Sequence, residues 1–185
     1  FQSIPTVGAA DCEFFTIGDV SYLAIVAAAD ANSVIYRWNG AVFALFQTIP
    51  THGARDCEFF AIGDDSFLAI ANGRTDSTHN VDSQIYRWDG TQFIAFQAIA
   101  TQGAADWESF TIGEDSFLAV ANGYDDVSYS VDSRLYKWDG MSFVAYQFMP
   151  THGAADWEFF TVGDDCFLAV ANGYDDLTRS LDSTV

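Results

Sequence analysis

A β-propeller, an all-β ring of four-stranded antiparallel blades of about 45–50 residues, is the fold class this sequence predicts. Three observations predict it. The chain is one tandem repeat, each repeat reads as four short strands, and no stretch carries the 3.6-residue apolar period that a helix pair needs.

The segment FQTIPTHGARDCEFFAIGDDSFLAIAN, which starts at Phe46, returns as FQAIATQGAADWESFTIGEDSFLAVAN at Phe96 and as YQFMPTHGAADWEFFTVGDDCFLAVAN at Tyr146, and a further copy opens at Phe1. One repeat domain, 1–185, therefore divides into units 1–45, 46–95, 96–145 and 146–185. Residues 101–135 and 151–185 are identical at 24 of 35 positions, which excludes chance similarity. The first unit is shorter because its loop AAADANS lacks five residues present in NGRTDSTHNVDS. The fourth stops at Val185, the position of Ile35, Ile85 and Leu135.

The second unit serves to place the strands. Residues 58–62 are rich in aromatic and β-branched side chains and run into the turn Gly63-Asp64-Asp65. Residues 67–71 are apolar on both faces and too short for a helix, so they predict an interior strand held between two sheets. A polar loop over 72–83 leads to a third strand at 84–88. Asp89-Gly90 is the signal for a two-residue hairpin turn into a fourth strand at 92–97, and Asn39-Gly40 and Asp139-Gly140 repeat it.

Half of the 185 residues are hydrophobic and 16% aromatic, ample for a buried core. Seven basic residues against 26 acidic ones leave a net charge of -19, which repels phosphate backbones and anionic lipid and argues against a nucleic-acid or membrane-surface partner. The longest apolar run, 20–29, contains Ser21 and Tyr22 and falls short of a membrane span, so no membrane insertion is expected. Cys12, Cys57 and Cys166 are an odd count without metal-like spacing. Cys12 and Cys57 hold the position of Trp107 and Trp157, so either buried free thiols or a cross-blade disulfide is open.

The fixed positions form two motifs: GA-x-D-x-E-x-F-x-I-G-x-x-x-F/Y-L-A-I/V-A-N, then S-x-I-Y-R/K-W-D/N-G-x-x-F-x-x-F-Q. Their carriers include Gly8/Asp11/Glu13, Gly53/Asp56/Glu58, Gly103/Asp106/Glu108 and Gly153/Asp156/Glu158, with Tyr36-Arg37-Trp38, Tyr86-Arg87-Trp88 and Tyr136-Lys137-Trp138. In these residues the chain resembles the EAR repeat, also called EPTP (epilepsy-associated), over essentially its whole length. The resemblance implies a seven-bladed propeller, of which this chain is expected to be a piece, since it opens inside a repeat without an initiating Met. It further implies extracellular, secreted or ectodomain proteins that act in adhesion and signaling by binding other cell-surface or matrix proteins and are not enzymes. A calcium ion in the channel, held by the Asp of the first motif, is implied as well.

That Asp-x-Glu pair gives Asp11, Asp56, Asp106 and Asp156 as the candidate metal ligands. Residues two apart on a strand share a face, so repetition around an axis makes rings of carboxylate whose crowding a hard cation relieves. The alternative is that these carboxylates bond backbone amides at blade junctions without an ion. A second acidic set, Asp76/Asp82, Asp125/Asp126/Asp132 and Asp175/Asp176/Asp182, does not fit an EF-hand and reads as solvated loop. Recognition belongs in loops that vary while strands repeat, which singles out Arg74, His79, Tyr124, Tyr129 and Arg179.

No catalytic set emerges. His52 and His152 share a position with Val7 and Gln102, Trp38, Trp88 and Trp138 read as blade core, and no nucleophile elbow or phosphate loop occurs. The expected function is non-catalytic extracellular protein–protein interaction. A carbohydrate-binding, lectin-like propeller is the alternative and needs a polar and aromatic pocket in each blade. A metal-dependent hydrolase on the channel carboxylates is a third reading and needs an open-coordinated cation.

Overall fold

The computed structural model describes residues 1–28 and 31–185. Ala29 and Asp30, which belong to the short loop AAADANS and end the apolar run 20–29, lie outside the described residues. Every regular element among the described residues is a strand. The first sheet is β1 (Ala9–Ile17), β2 (Val20–Ala27), β3 (Ser33–Trp38) and β4 (Phe43–Ile49). The second is β5 (Ala54–Ile62), β6 (Asp65–Asn72), β7 (Asp82–Trp88) and β8 (Phe93–Ala100). The third is β9 (Ala104–Ile112), β10 (Asp115–Asn122), β11 (Asp132–Trp138) and β12 (Phe143–Pro150). The fourth contains β13 (Ala154–Val162) and β14 (Asp165–Asn172), and Val170 bridges Thr184 where Val120 pairs with Arg134 in the third.

Each strand runs antiparallel to the next in sequence, the meander of a propeller blade. β1, β5, β9 and β13 lie against one another from sheet to sheet, which makes them the inner strands of the arc. Sheets and sequence units share a period but not a phase: Phe46, which starts the second unit, lies in β4 of the first sheet. The turn chemistry also differs from expectation. β5 and β6 join through a two-residue turn, Gly63-Asp64, whereas the loop from β7 to β8 spans the four residues 89–92. There the Asp89 N–H donates to the Gln92 carbonyl (3.0 Å), and Asp89 Oδ1 accepts the N–H groups of Thr91 (2.7 Å) and Gln92 (2.9 Å). The side chain closes the loop, so Asp89 needs no positive φ.

The two-faced apolar strand behaves as the sequence predicts. Alternate side chains of β6 serve different cores: Leu68 and Ile70 pack with Phe15 and Tyr22 of the first sheet, while Phe67, Ala69 and Ala71 pack with Trp107 and Leu118 of the third. β10 repeats the division, with Leu118 and Val120 toward the second sheet and Phe117, Ala119 and Ala121 toward the fourth. Aromatic stacks mark two junctions, Phe15 on Phe59 at 4.3 Å and Phe110 on Phe159 at 4.5 Å. Of the tryptophans expected in blade cores, Trp88 and Trp138 pack on cores that lie between sheets, while Trp38 meets Phe43 of its own sheet and is exposed. Trp88 meets Tyr22 and Phe46 of the preceding sheet, and Trp138 meets Phe67 and Phe96.

Outer strands of neighbouring sheets do not pair, and a glutamine joins them. Gln47 on β4 both donates to the Phe93 carbonyl (2.7 Å) and accepts the Phe93 N–H (2.9 Å), and Gln97 does the same at Phe143. A buried polar triad secures the loop ends of the second and third sheets. Asn122 donates from Nδ2 to the Asp132 carbonyl (2.9 Å), accepts the Gln102 N–H on Oδ1 (3.0 Å), and gives its own N–H to Ser133 Oγ (3.1 Å). Ser133 in turn bonds Thr151 at 2.8 Å, and Asn72, Ser83 and Thr101 repeat the arrangement.

Asn122 has no solvent exposure, so its removal strands two backbone groups with no water to replace it. Asn122→Ala is expected to lower the unfolding free energy by about 2–4 kcal/mol in urea titration, more than truncation of an exposed loop residue such as Val127.

Candidate functional site

Asp11, Asp56, Asp106 and Asp156 stand on the inner strands, each one residue beyond a β-bulge at Ala10, Arg55, Ala105 or Ala155. An inner strand is an edge strand, and its N–H groups on the channel side have no ladder partner. The carboxylates of the preceding sheet fill that need. Asp11 Oδ2 accepts the Cys57 N–H (3.3 Å), Asp56 Oδ2 the Trp107 N–H (2.9 Å) and Asp106 Oδ2 the Trp157 N–H (2.8 Å). The glutamates act one step further along: Glu58 Oε1 accepts from the Ser109 N–H (3.1 Å) and hydroxyl (2.6 Å), and Glu108 Oε1 from the Phe159 N–H (2.8 Å).

The crowding that the sequence predicts is present. Burial pushes the Asp56 carboxyl up to about 8, and the charges of Asp106, Asp11 and Glu58 act in the same direction against the bond from Trp107. Asp106 and Glu108 rise to about 7, again chiefly through burial. Carboxylate oxygens are the donor chemistry that calcium takes, but the ion requires six to eight ligands. Among the described residues no three acidic, histidine or cysteine side chains converge on one point, and Asp11, Asp56 and Asp106 each have one oxygen bound to a junction amide. These sheets do not by themselves form a coordination sphere.

The loops beyond β6, β10 and β14 are ordered by the aspartates that read as plain solvated residues. Asp126 and Asp176 adopt φ +76°, an angle side chains other than glycine rarely take, and reach back to the preceding sheet's loop. Asp126 accepts from the Thr78 hydroxyl, the His79 N–H (2.9 Å), His79 Nδ1 (2.6 Å) and Asn80 Nδ2 (3.1 Å). Asp176 accepts from the Ser128 hydroxyl (2.6 Å) and the Tyr129 N–H (3.0 Å). Asp125 and Asp175 close their own loops on the N–H groups of Val127 and Ser128 and of Leu177 and Thr178. Hydrogen bonds, first from Thr78 and then from His79, hold the Asp126 carboxyl down to about 2.

These loops frame a groove of about 360 Å³ across the second, third and fourth sheets. Aromatic rings form a continuous row along it: His79 meets Tyr124 edge-on at 4.9 Å, Tyr124 lies 4.4 Å from Tyr129, Tyr129 meets Tyr174 at 4.8 Å, and the Arg179 guanidinium lies over Tyr174 at 5.3 Å. The floor requires glycine. A Cβ on Gly103 would lie 2.8 Å from the Tyr124 carbonyl, and one on Gly153 would lie 2.9 Å from that of Tyr174. Of the variable loop residues the sequence singles out, the groove gathers His79, Tyr124, Tyr129 and Arg179 but not Arg74. It adds Tyr174, and Arg55 from the bulge of β5. Arg55 was open to detection, because Ala10, Ala105 and Ala155 fill its place in the other repeats. His152 bonds the Ser130 hydroxyl (3.0 Å), and all three cysteines are free, with Cys57 buried and its thiol pushed up by that burial.

The EPTP domain model matches residues 1–39, 42–89, 92–139 and 142–185. The Mus musculus thrombospondin-type laminin G domain and EAR repeat-containing protein is 44% identical over 45 residues, which are 22% of this chain and 7% of that protein. The chain thus spans a small part of this relative's length. Among solved structures, a GH32 beta-fructofuranosidase of Bombyx mori superposes with a TM-score of 0.55 at 13% identity, over 90% of this chain and 44% of that one. A mutant of that enzyme in complex with sucrose gives 0.51 at 12% identity, over 89% and 42%. At such identities the likeness is one of fold.

The ring carboxylates give stability a defined pH dependence. Asp56 titrates at about 8 in the folded chain against 3.8 ordinarily, so between these values the folded state keeps a proton that the unfolded chain has released. Stability therefore falls as pH rises through that window and levels off above about 8. With a chelator present, the melting temperature is expected to drop by several degrees from about pH 5 to pH 8. Asp56→Asn keeps an acceptor for the Trp107 N–H without the charge and should flatten the drop; an unchanged slope would contradict this account.

Proposed function

Because this chain belongs to the EPTP domain family, we propose that it is a non-catalytic, extracellular protein-interaction module whose partner, a secreted or cell-surface protein, docks on the loop face of the blades. The observation that carries this reading is the groove lined by Tyr124, Tyr129 and Tyr174, set in loops that Asp126 and Asp176 tie from sheet to sheet. Tyrosine and arginine over a glycine-rich base form the composition of a recognition surface, with a large rigid contact area and little entropy to lose on docking. An extracellular setting is supported by the thrombospondin-type laminin G domain for which the mouse relative is named.

The ring carboxylates favour no hydrolase. Five of their oxygens accept junction hydrogen bonds, and the raised titration ranges of Asp56, Glu58, Asp106 and Glu108 follow from burial within a structural contact. A channel calcium ion belongs to the proposal only for a closed ring of blades, in which Asp11, Asp56, Asp106 and Asp156 contribute their remaining oxygens. Calorimetric titration of a ring-complete protein tests it: absence of heat and of any calcium-dependent rise in melting temperature ends it.

The interaction reading is tested by surface plasmon resonance of the immobilised chain against a panel of secreted proteins and receptor ectodomains. At least one saturable binder is expected. The double change Tyr124→Ser and Tyr129→Ser should weaken it at least tenfold with the melting temperature unchanged; no binder, or binding indifferent to both tyrosines, overturns the reading.

A further inference from the structure

The charged side chains that line the groove are opposite in sign to the chain's net charge. The protein carries 26 acidic residues and seven basic ones, yet no Asp or Glu lines the groove, while Arg55, Arg179 and His79 do. Neither arginine has an ion-pair partner among the described residues. The aspartates of the loops that frame the groove are already engaged. Asp126 is bonded to Thr78, His79 and Asn80, Asp176 to Ser128 and Tyr129, and Asp125 and Asp175 to their own loops.

The balance of hydrogen-bonding groups is one-sided in consequence. The groove offers ten donor N–H groups from two guanidinium planes at full count, together with the phenols of Tyr124 and Tyr129, and no carboxylate acceptor. A sugar presents hydroxyls that need acceptors as well as donors. A carboxylate needs donors alone, and a guanidinium fork holds it through two parallel bonds. The tyrosine row supplies flat, half-apolar surface beside those donors, suited to an apolar or aromatic side chain next to the acid.

Arg55 reaches this place for a structural reason. It is the unpaired residue of the bulge between Ala54 and Asp56, and bulges re-aim side chains at strand ends. The equivalent bulge residues Ala105 and Ala155 line the same groove without obstructing it. Arg179 is likewise particular to its sheet, since His79 and Tyr129 occupy its position in the other two. The repeat thus carries cations at both ends of the groove and aromatic rings between them.

We propose that this groove binds an acidic segment of a partner protein, with carboxylates held by Arg55 and Arg179 and a neighbouring apolar or aromatic side chain laid against Tyr124, Tyr129 and Tyr174. The assignment rests on the interaction reading above and adds the chemistry of the partner. It is tested by fluorescence anisotropy of the full chain with a labelled Asp-Glu-Tyr-Asp-Glu peptide, its Asn-Gln-Tyr-Asn-Gln counterpart, and sialyllactose as an unlabelled competitor.

The acidic peptide should bind, weaken as salt is raised, and lose at least tenfold in Arg55→Gln combined with Arg179→Gln, whose melting temperature stays that of the parent because both side chains are exposed. The amide peptide should not bind. Equal binding of both peptides, no binding of either, indifference to the arginine changes, or displacement by sialyllactose at matching affinity overturns the proposal. If the peptides fail while an ectodomain still binds through Tyr124 and Tyr129, only the acidic chemistry is lost; if that binding fails too, the interaction reading falls with it.

Discussion

Each sheet of this protein is apolar on both faces, and that constraint governs the rest. Leu68 and Ile70 point one way from β6 while Phe67, Ala69 and Ala71 point the other, all with essentially no exposure. Burial of one such aliphatic side chain is worth about 1.5–3 kcal/mol, but only if a neighbour covers it. A sheet of this kind has no stable existence alone, so its stability is a property of the stack. The aromatic stacks of Phe15 on Phe59 and of Phe110 on Phe159, and the tryptophans lodged between sheets, are further payments into the same contact.

Stacking twisted sheets by their faces leaves the strand edges to be dealt with separately. At the outer edge Gln47 and Gln97 imitate a peptide group, giving and accepting one bond each with the next sheet. At the inner edge the partners are charged. Asp56 and Asp106 accept N–H groups that would otherwise face the channel unpaired, and burial in that place, with neighbouring carboxylates adding to it, raises their titration ranges. The inner ring is thus a compromise between satisfied amides and crowded charge. At the junction of the second and third sheets the compromise shifts: Ser109 stands where Phe59 and Phe159 stand, and its hydroxyl goes to Glu58.

The loop face follows from the same geometry. Loops of adjacent sheets end up side by side because the sheets do, and Asp126 and Asp176 convert that proximity into hydrogen bonds at the expense of an unusual backbone angle. Their engagement turns the two carboxylates toward the neighbouring loop, outside the groove lining, and fixes the aromatic row. A rigid, donor-rich surface within a chain of net charge -19 is the outcome, and it is assembled from residues of three different repeats.

Much of this was legible in the sequence. The repeat period, the four-strand unit and the buried middle strand follow from local pattern, since pleat alternation and turn chemistry act over a few residues. The Asp-x-Glu ring was legible as an alignment on one face, and the variation of His79, Tyr124, Tyr129 and Arg179 marked the loops. What those residues touch was not legible. The reading of Asp126 as a solvated residue did not show its bonds to His79, and the reading of Trp88 as core did not show that this core lies between two sheets, because both partners lie elsewhere in the fold. Asp89-Gly90 as a two-residue turn failed because the Asp89 side chain closes a four-residue loop. Asn122, which reads locally as a turn residue, is wholly buried because Gln102 and Asp132 converge on it. The sequence by itself determined the blade and its period, because these depend on alternation along a single strand. Only the tertiary structure decided which carboxylates bond amides and which side chains share the groove, because both depend on residues about 50 positions apart meeting across a sheet junction.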